Sequence, residues 1–139
     1  MGVQAELVVE SRVEEIARAR HWLSEQARAA GFSDKDINNF GLVISEACAN
    51  VIKHAYRGQP DHPIELQLSV DDTKLVLAIR DEGIKFDLAK YTPPDLSEPH
   101  EGGYGVFIIR SLMDEVEYDT SGEQGTTLRL VKYRNHPSA

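Results

Sequence analysis

Cysteine is nearly absent from this sequence: Cys48 is the single one in 139 residues. One cysteine excludes a disulfide framework and a cysteine-based zinc cluster, and Cys48 reads as a small buried residue rather than a reactive thiol. No apolar run approaches the roughly 20 residues that cross a bilayer, so no membrane segment is expected. The opening MGVQAELVVES lacks a basic stretch followed by an apolar one, so no secretory leader is expected. The Ser or Thr that would complete a myristoylation signal after Gly2 is missing too. These absences predict a cytoplasmic protein. Positive charge is also scarce, with 15 Lys and Arg against 23 Asp and Glu, a net charge of −8. That balance argues against direct nucleic-acid binding, which wants clustered Lys and Arg. It leaves room for one small anion held by local groups. No repeat, low-complexity tract or G-x-x-x-x-G-K-[ST] phosphate loop is present. What remains is ordinary for one soluble domain over residues 1–139, with 41% hydrophobic and 27% charged residues.

The hydrophobic pattern changes period along the chain. Residues 5–10 are β-prone. Ser11 with Glu14 has the form of a capping box, and Ile16, Ala19, Arg20 and Leu23 follow at helical spacing until Gly31. Ser33 with Asp36 repeats the cap, and Ile37, Phe40, Ile44, Cys48, Val51 and Ala55 predict a second helix to about Tyr56. Arg57-Gly58-Gln59-Pro60 breaks it. Segments 63–70 and 74–81 alternate with period two around Asp71-Asp72, predicting an antiparallel hairpin. Residues 83–103 are irregular, and a lid is expected over about 84–101. A third helix over 104–113 precedes a second hairpin, 115–121 and 126–133, and the tail from about 134 to 139 should fray. The order β-α-α-β-β-lid-α-β-β predicts an α+β fold, a two-layer sandwich whose mostly antiparallel sheet is covered by helices on one face.

Four short motifs carry candidate chemistry. Glu46, Asn50 and His54 are spaced four apart on the second helix, with Lys53 beside them. A solvated polar face would explain them singly, and His54 alone reads as an ordinary structural histidine. Asn is a poor helix former, however, and Asn50 stands between Ala49 and Val51. Its carbonyl oxygen suits a hard cation such as Mg²⁺, which takes few protein ligands and completes its shell with phosphate and water. Asp81 closes an apolar strand, and a buried carboxylate there needs a donor such as the exocyclic amine of adenine. Gly83 lets a flat base approach the backbone. Gly102, Gly103 and Gly105 lead into an apolar helix whose N–H groups face an anion. Thr126 and Thr127 alternate faces, so one hydroxyl turns toward Asp81. Each has a bland counterpart: a turn at a strand end, a flexible loop before a cap, two β-branched strand residues.

In this order the motifs E-x-x-x-N-x-x-K-H, D-x-G-x-x-F, G-G-x-G and G-T resemble the asparagine and glycine boxes of the GHKL ATP-binding (Bergerat) fold. ISEACANVIKHAY and GGYGVFIIRSLMDEVEY resemble the small anti-sigma-factor serine kinases of the RsbW and SpoIIAB type, over residues 5–133. The sequence shows no phosphoacceptor-histidine helix pair before these motifs, which disfavours a sensor histidine kinase. The resemblance implies ATP or ADP with Mg²⁺ as ligands. It implies Asn50 as the metal ligand, Glu46 as general base, Lys53 near a phosphate, Asp81 on the adenine amine and Gly83 against the base. Backbone amides around Gly103, Tyr104, Gly105 and Val106 would cradle the phosphates, with Thr126 supporting the adenine site. Where relatives often carry Pro or Gly, Ile84-Lys85 stand here. The implied activity is phosphorylation of a serine on a STAS-domain anti-anti-sigma partner, with sequestration of a sigma factor and homodimerisation. An ATP-gated binding module without useful catalysis, and a free ATPase, are the alternatives.

Overall fold

A computed structural model of the chain describes residues 2–87, 89 and 104–134. Five strands form one sheet: β1 (Val3–Glu10), β2 (Pro63–Val70), β3 (Lys74–Arg80), β4 (Glu115–Asp119) and β5 (Thr127–Tyr133), in the spatial order β1-β2-β3-β5-β4. Every neighbouring pair is antiparallel. The period-two pattern explains the two faces. Leu7, Leu66, Ile79, Leu128 and Tyr118 fall in one cross-strand row, and Ala5, Leu68, Leu77, Leu130 and Val116 in the next. Glu6, Gln67, Ala78, Arg129 and Glu117 form a row on the opposite face.

Helices α1 (Val13–Ala29), α2 (Asp34–Asn50) and α3 (Tyr104–Leu112) cover the apolar rows. Phe40, Ile44, Leu23 and Ile109 are buried against Ile64, Leu66, Leu77 and Leu130, in a single cluster. Each such side chain contributes about 1.5–3 kcal/mol by leaving water. The expected α+β sandwich is the fold observed. Ser33 caps α2 as expected, accepting the Asp36 N–H at 3.1 Å. The tail 135–139, Gly102, Gly103 and the lid residues 90–101 lie outside the described residues.

Two local readings are corrected. Ser11 does not cap α1: Arg12 occupies that position without a side-chain hydrogen bond. The Ser11 hydroxyl instead donates to the Gln59 carbonyl at 2.7 Å and accepts the His62 N–H at 3.0 Å, tying β1 to the loop before β2. The second helix does not run regularly to Tyr56. It widens after Asn50 into a π-helical turn, Val51–Ala55, in which the Tyr56 N–H bonds to the Val51 carbonyl at 3.0 Å. Arg57 and Gly58, both at positive φ, end it.

Candidate functional site

The π-helical turn, the end of β3 and the first turn of α3 meet around a cleft of about 340 Å³. Ile79, Leu128 and Tyr118 supply apolar surface from the sheet, and Asn50, Val51, His54 and Ala55 line it from α2 and the turn that follows. Ile84, Lys85, Phe86 and Asp87 form the side after β3, and Gly105 and Val106 come from α3. Phe86 stacks on Tyr118, centroids 4.2 Å apart.

Asp81 and Thr126 are the cleft's buried polar residues. Asp81 is only 4% exposed, and its Oδ1 accepts the Gly83 N–H at 2.9 Å. Burial pushes its carboxyl above the ordinary value, while hydrogen bonds with the Gly83 and Thr126 backbones pull the other way. The Asp81 N–H donates to the Thr126 carbonyl at 3.0 Å, and the Thr126 hydroxyl accepts the Phe86 N–H at 2.9 Å. Of the two threonines, Thr126 lines the cleft, and its hydroxyl is engaged by the segment that follows Asp81. A carboxylate held this way inside apolar walls offers an acceptor to a hydrogen-bond donor on a flat, largely apolar ligand.

Glu46 and Asn50 converge on α3. A Cβ placed on Gly105 would lie 2.9 Å from Asn50 Nδ2, 3.2 Å from Asn50 Oδ1 and 3.2 Å from Glu46 Oε2. Glycine at this position lets the start of the helix approach both side chains, beside its partial positive end. Among the described residues, no group of three or more His, Cys, Asp or Glu converges to hold a metal alone. The Asn50 carbonyl oxygen fits magnesium, which takes few protein ligands and the rest of its shell from phosphate and water.

The structure gathers Asn50, Asp81, Gly105, Val106 and Thr126 around the cleft, with Glu46 against Gly105. Tyr104 opens α3. Lys53 is exposed and does not line the cleft, whereas His54 and Lys85 do. Gly83 is required by a different neighbour from the one expected: a Cβ there would sit 2.3 Å from the Ala55 carbonyl oxygen. Gly103 lies outside the described residues. Sequence reasoning passed over Tyr118, Lys85 and the aromatic wall. The D-x-G-x-x-F segment signalled Phe86, but its stacking partner lies on a distant strand.

The profile of the family described as "Histidine kinase-like ATPase domain" matches residues 9–132. The serine-protein kinase RsbW of Bacillus subtilis (strain 168) is 30% identical over 138 residues, spanning 94% of this chain and 85% of that protein. The serine-protein kinase RsbW of Listeria monocytogenes serovar 1/2a is 34% identical over 139 residues, spanning 93% and 86%. The crystal structure of the RsbU and RsbW domains of Rv1364c from Mycobacterium tuberculosis aligns with a TM-score of 0.67 at 17% identity. That alignment takes in 94% of this chain and 31% of the other, and it speaks for the fold alone. With its motifs in family order on this sheet, the chain belongs to the histidine kinase-like ATPase family, in the RsbW-type branch.

Proposed function

We propose that the chain is an anti-sigma-factor serine kinase that moves a phosphoryl group from ATP to a serine hydroxyl of a protein partner. The observation that carries the reading is the buried Asp81 carboxylate inside an apolar cleft also lined by Asn50 and the start of α3, with Glu46 against Gly105. Asp81 accepts the adenine amine. It selects against guanine, whose carbonyl at that position leaves the carboxylate without a donor. Asn50 holds magnesium, which when bound neutralises charge on the phosphate oxygens. The amides opening α3, around Tyr104, Gly105 and Val106, face the anionic tail. Lys85 and His54 add positive or hydrogen-bonding groups at the cleft. Glu46 takes the proton of the attacking serine hydroxyl.

The partner we propose is an anti-anti-sigma protein of the STAS type, with a sigma factor as the competing ligand and a second copy of the chain completing a homodimer. No helix among the described residues is long and apolar enough to cross a membrane, and a cytoplasmic site of action fits such partners. The test is incubation with γ-labelled ATP, magnesium and candidate STAS proteins. Label should pass to a serine of one of them, and Glu46→Gln should bind ATP as before while transferring about 10²–10⁴-fold more slowly. Unchanged transfer by Glu46→Gln removes the general-base role. ATP-dependent association without label would leave a binding module in place of the kinase.

A further inference from the structure

Tyr56 ends the widened turn after α2 and does not line the cleft, yet its hydroxyl reaches the segment that carries Asp81. It donates to the Pro63 carbonyl at 2.6 Å, at the first residue of β2. It accepts the Glu82 N–H at 2.9 Å, directly after Asp81. The ring is buried and stacks on His62, centroids 4.8 Å apart. Two further contacts tie the same turn to the same segment. The Ile84 N–H donates to the Ala55 carbonyl at 2.9 Å, and Gly83 packs against that carbonyl. A regular α-helix would rotate residues 55 and 56 away from this register, so the wide turn is what presents both groups together.

We infer that Tyr56 is a positioning residue for base recognition: its hydroxyl fixes the Glu82 amide and so aims the Asp81 carboxylate at the purine. The inference rests on the adenine reading of the cleft. Asp81 is held on its other side by the Gly83 N–H and the Thr126 carbonyl. The Tyr56 bond is the side-chain tie on the link between them. Phenylalanine keeps the ring and its stacking on His62 but leaves the Glu82 N–H without its acceptor. Carboxylate and purine then meet in poorer geometry, and the loss falls on the base that uses the bond.

The test is calorimetric titration of the full chain with ADP and GDP in magnesium buffer. Tyr56→Phe should weaken ADP binding about three- to tenfold, the range of one lost hydrogen bond, and leave GDP binding nearly unchanged. The preference for ADP over GDP then narrows by the same factor. A purely structural role would lower the melting temperature and move both nucleotides together, and that result overturns the inference. If Tyr56→Phe does not fold, Tyr56→4-aminophenylalanine keeps the ring and a donor to Pro63 while being a poor acceptor for the Glu82 N–H. The same narrowing is expected, and an unchanged preference overturns the inference. A wild-type chain that binds neither nucleotide removes the adenine reading itself, a result distinct from wild-type binding that the variants fail to alter.

Discussion

Asp81 carries opposed demands of folding and recognition. Burial raises its carboxyl above the ordinary value of 3.8. Between that value and the raised one, the native state holds a proton that the unfolded chain has lost. Stability therefore falls as pH rises through this window, and at neutral pH the buried charge opposes folding. Asp81→Asn keeps the shape and the acceptor for Gly83 while removing the charge. Its unliganded melting temperature at pH 7 should match or exceed the wild type's, with the advantage shrinking as pH falls toward 4. Its ATP affinity should drop about 10–100-fold, the range for a hydrogen bond to a charged group. Thermal melts with and without ATP across pH read both effects, and tight binding by the variant would remove the adenine assignment. A second residue-scale test concerns the cations. Lys85 lines the cleft and Lys53 does not. Lys85→Ala should therefore weaken ADP binding more than Lys53→Ala, with adenosine indifferent to both. The reverse order would return the phosphate contact to Lys53.

At the scale of elements, two glycines separate what the site needs from what the fold needs. At Gly105 a methyl would meet the ends of the Asn50 and Glu46 side chains, which can turn aside. Gly105→Ala should leave the melting temperature nearly unchanged while nucleotide binding and transfer fall together. At Gly125, with φ of +74°, a methyl would lie 1.9 Å from the Asp81 carbonyl oxygen, which is backbone. Gly125→Ala should cost at least ~2 kcal/mol of stability, read by denaturant unfolding. Elements whose period is local were legible from the sequence: the α2 stripe from Ile37 to Cys48, both hairpins, and the Ser33 cap. The exceptions were decided by distant neighbours. Ser11 and Glu14 have the local form of a cap, but Gln59 and His62 capture the Ser11 hydroxyl. The turn after Asn50 is wide where Ala55 and Tyr56 grip residues 82–84. Gly83 looked like a base contact because the Ala55 carbonyl beside it is invisible to spacing arguments. Asp81 was legible as a buried strand-end carboxylate because the alternation of the strand before it is local, whereas alternation alone left Thr126 and Thr127 undistinguished.

In the whole molecule, the cleft closes only when α2, the end of β3 and α3 are docked on one sheet, so ligand binding and global folding are coupled. Cys48 offers a way to read this. It is fully buried in the core between helices and sheet, and burial pushes its thiol up to about 12. Both features protect it from alkylation in the native state. As the only cysteine in the chain, it gives one clean signal. Labelling must proceed through opening of the packed layers, and when reclosing is fast its rate follows the open population. A nucleotide that binds only the closed molecule lowers that population by the factor 1 + [L]/Kd, about 100-fold at a concentration of ~100 Kd. ADP should therefore slow the labelling of Cys48 roughly 100-fold at that concentration, and GDP much less. Asp81→Asn should respond only at proportionally higher ADP. Equal labelling with and without ADP, in a chain that calorimetry shows to bind it, would mean that Cys48 is reached by an opening that leaves the cleft intact, and the coupling of site to fold would be lost.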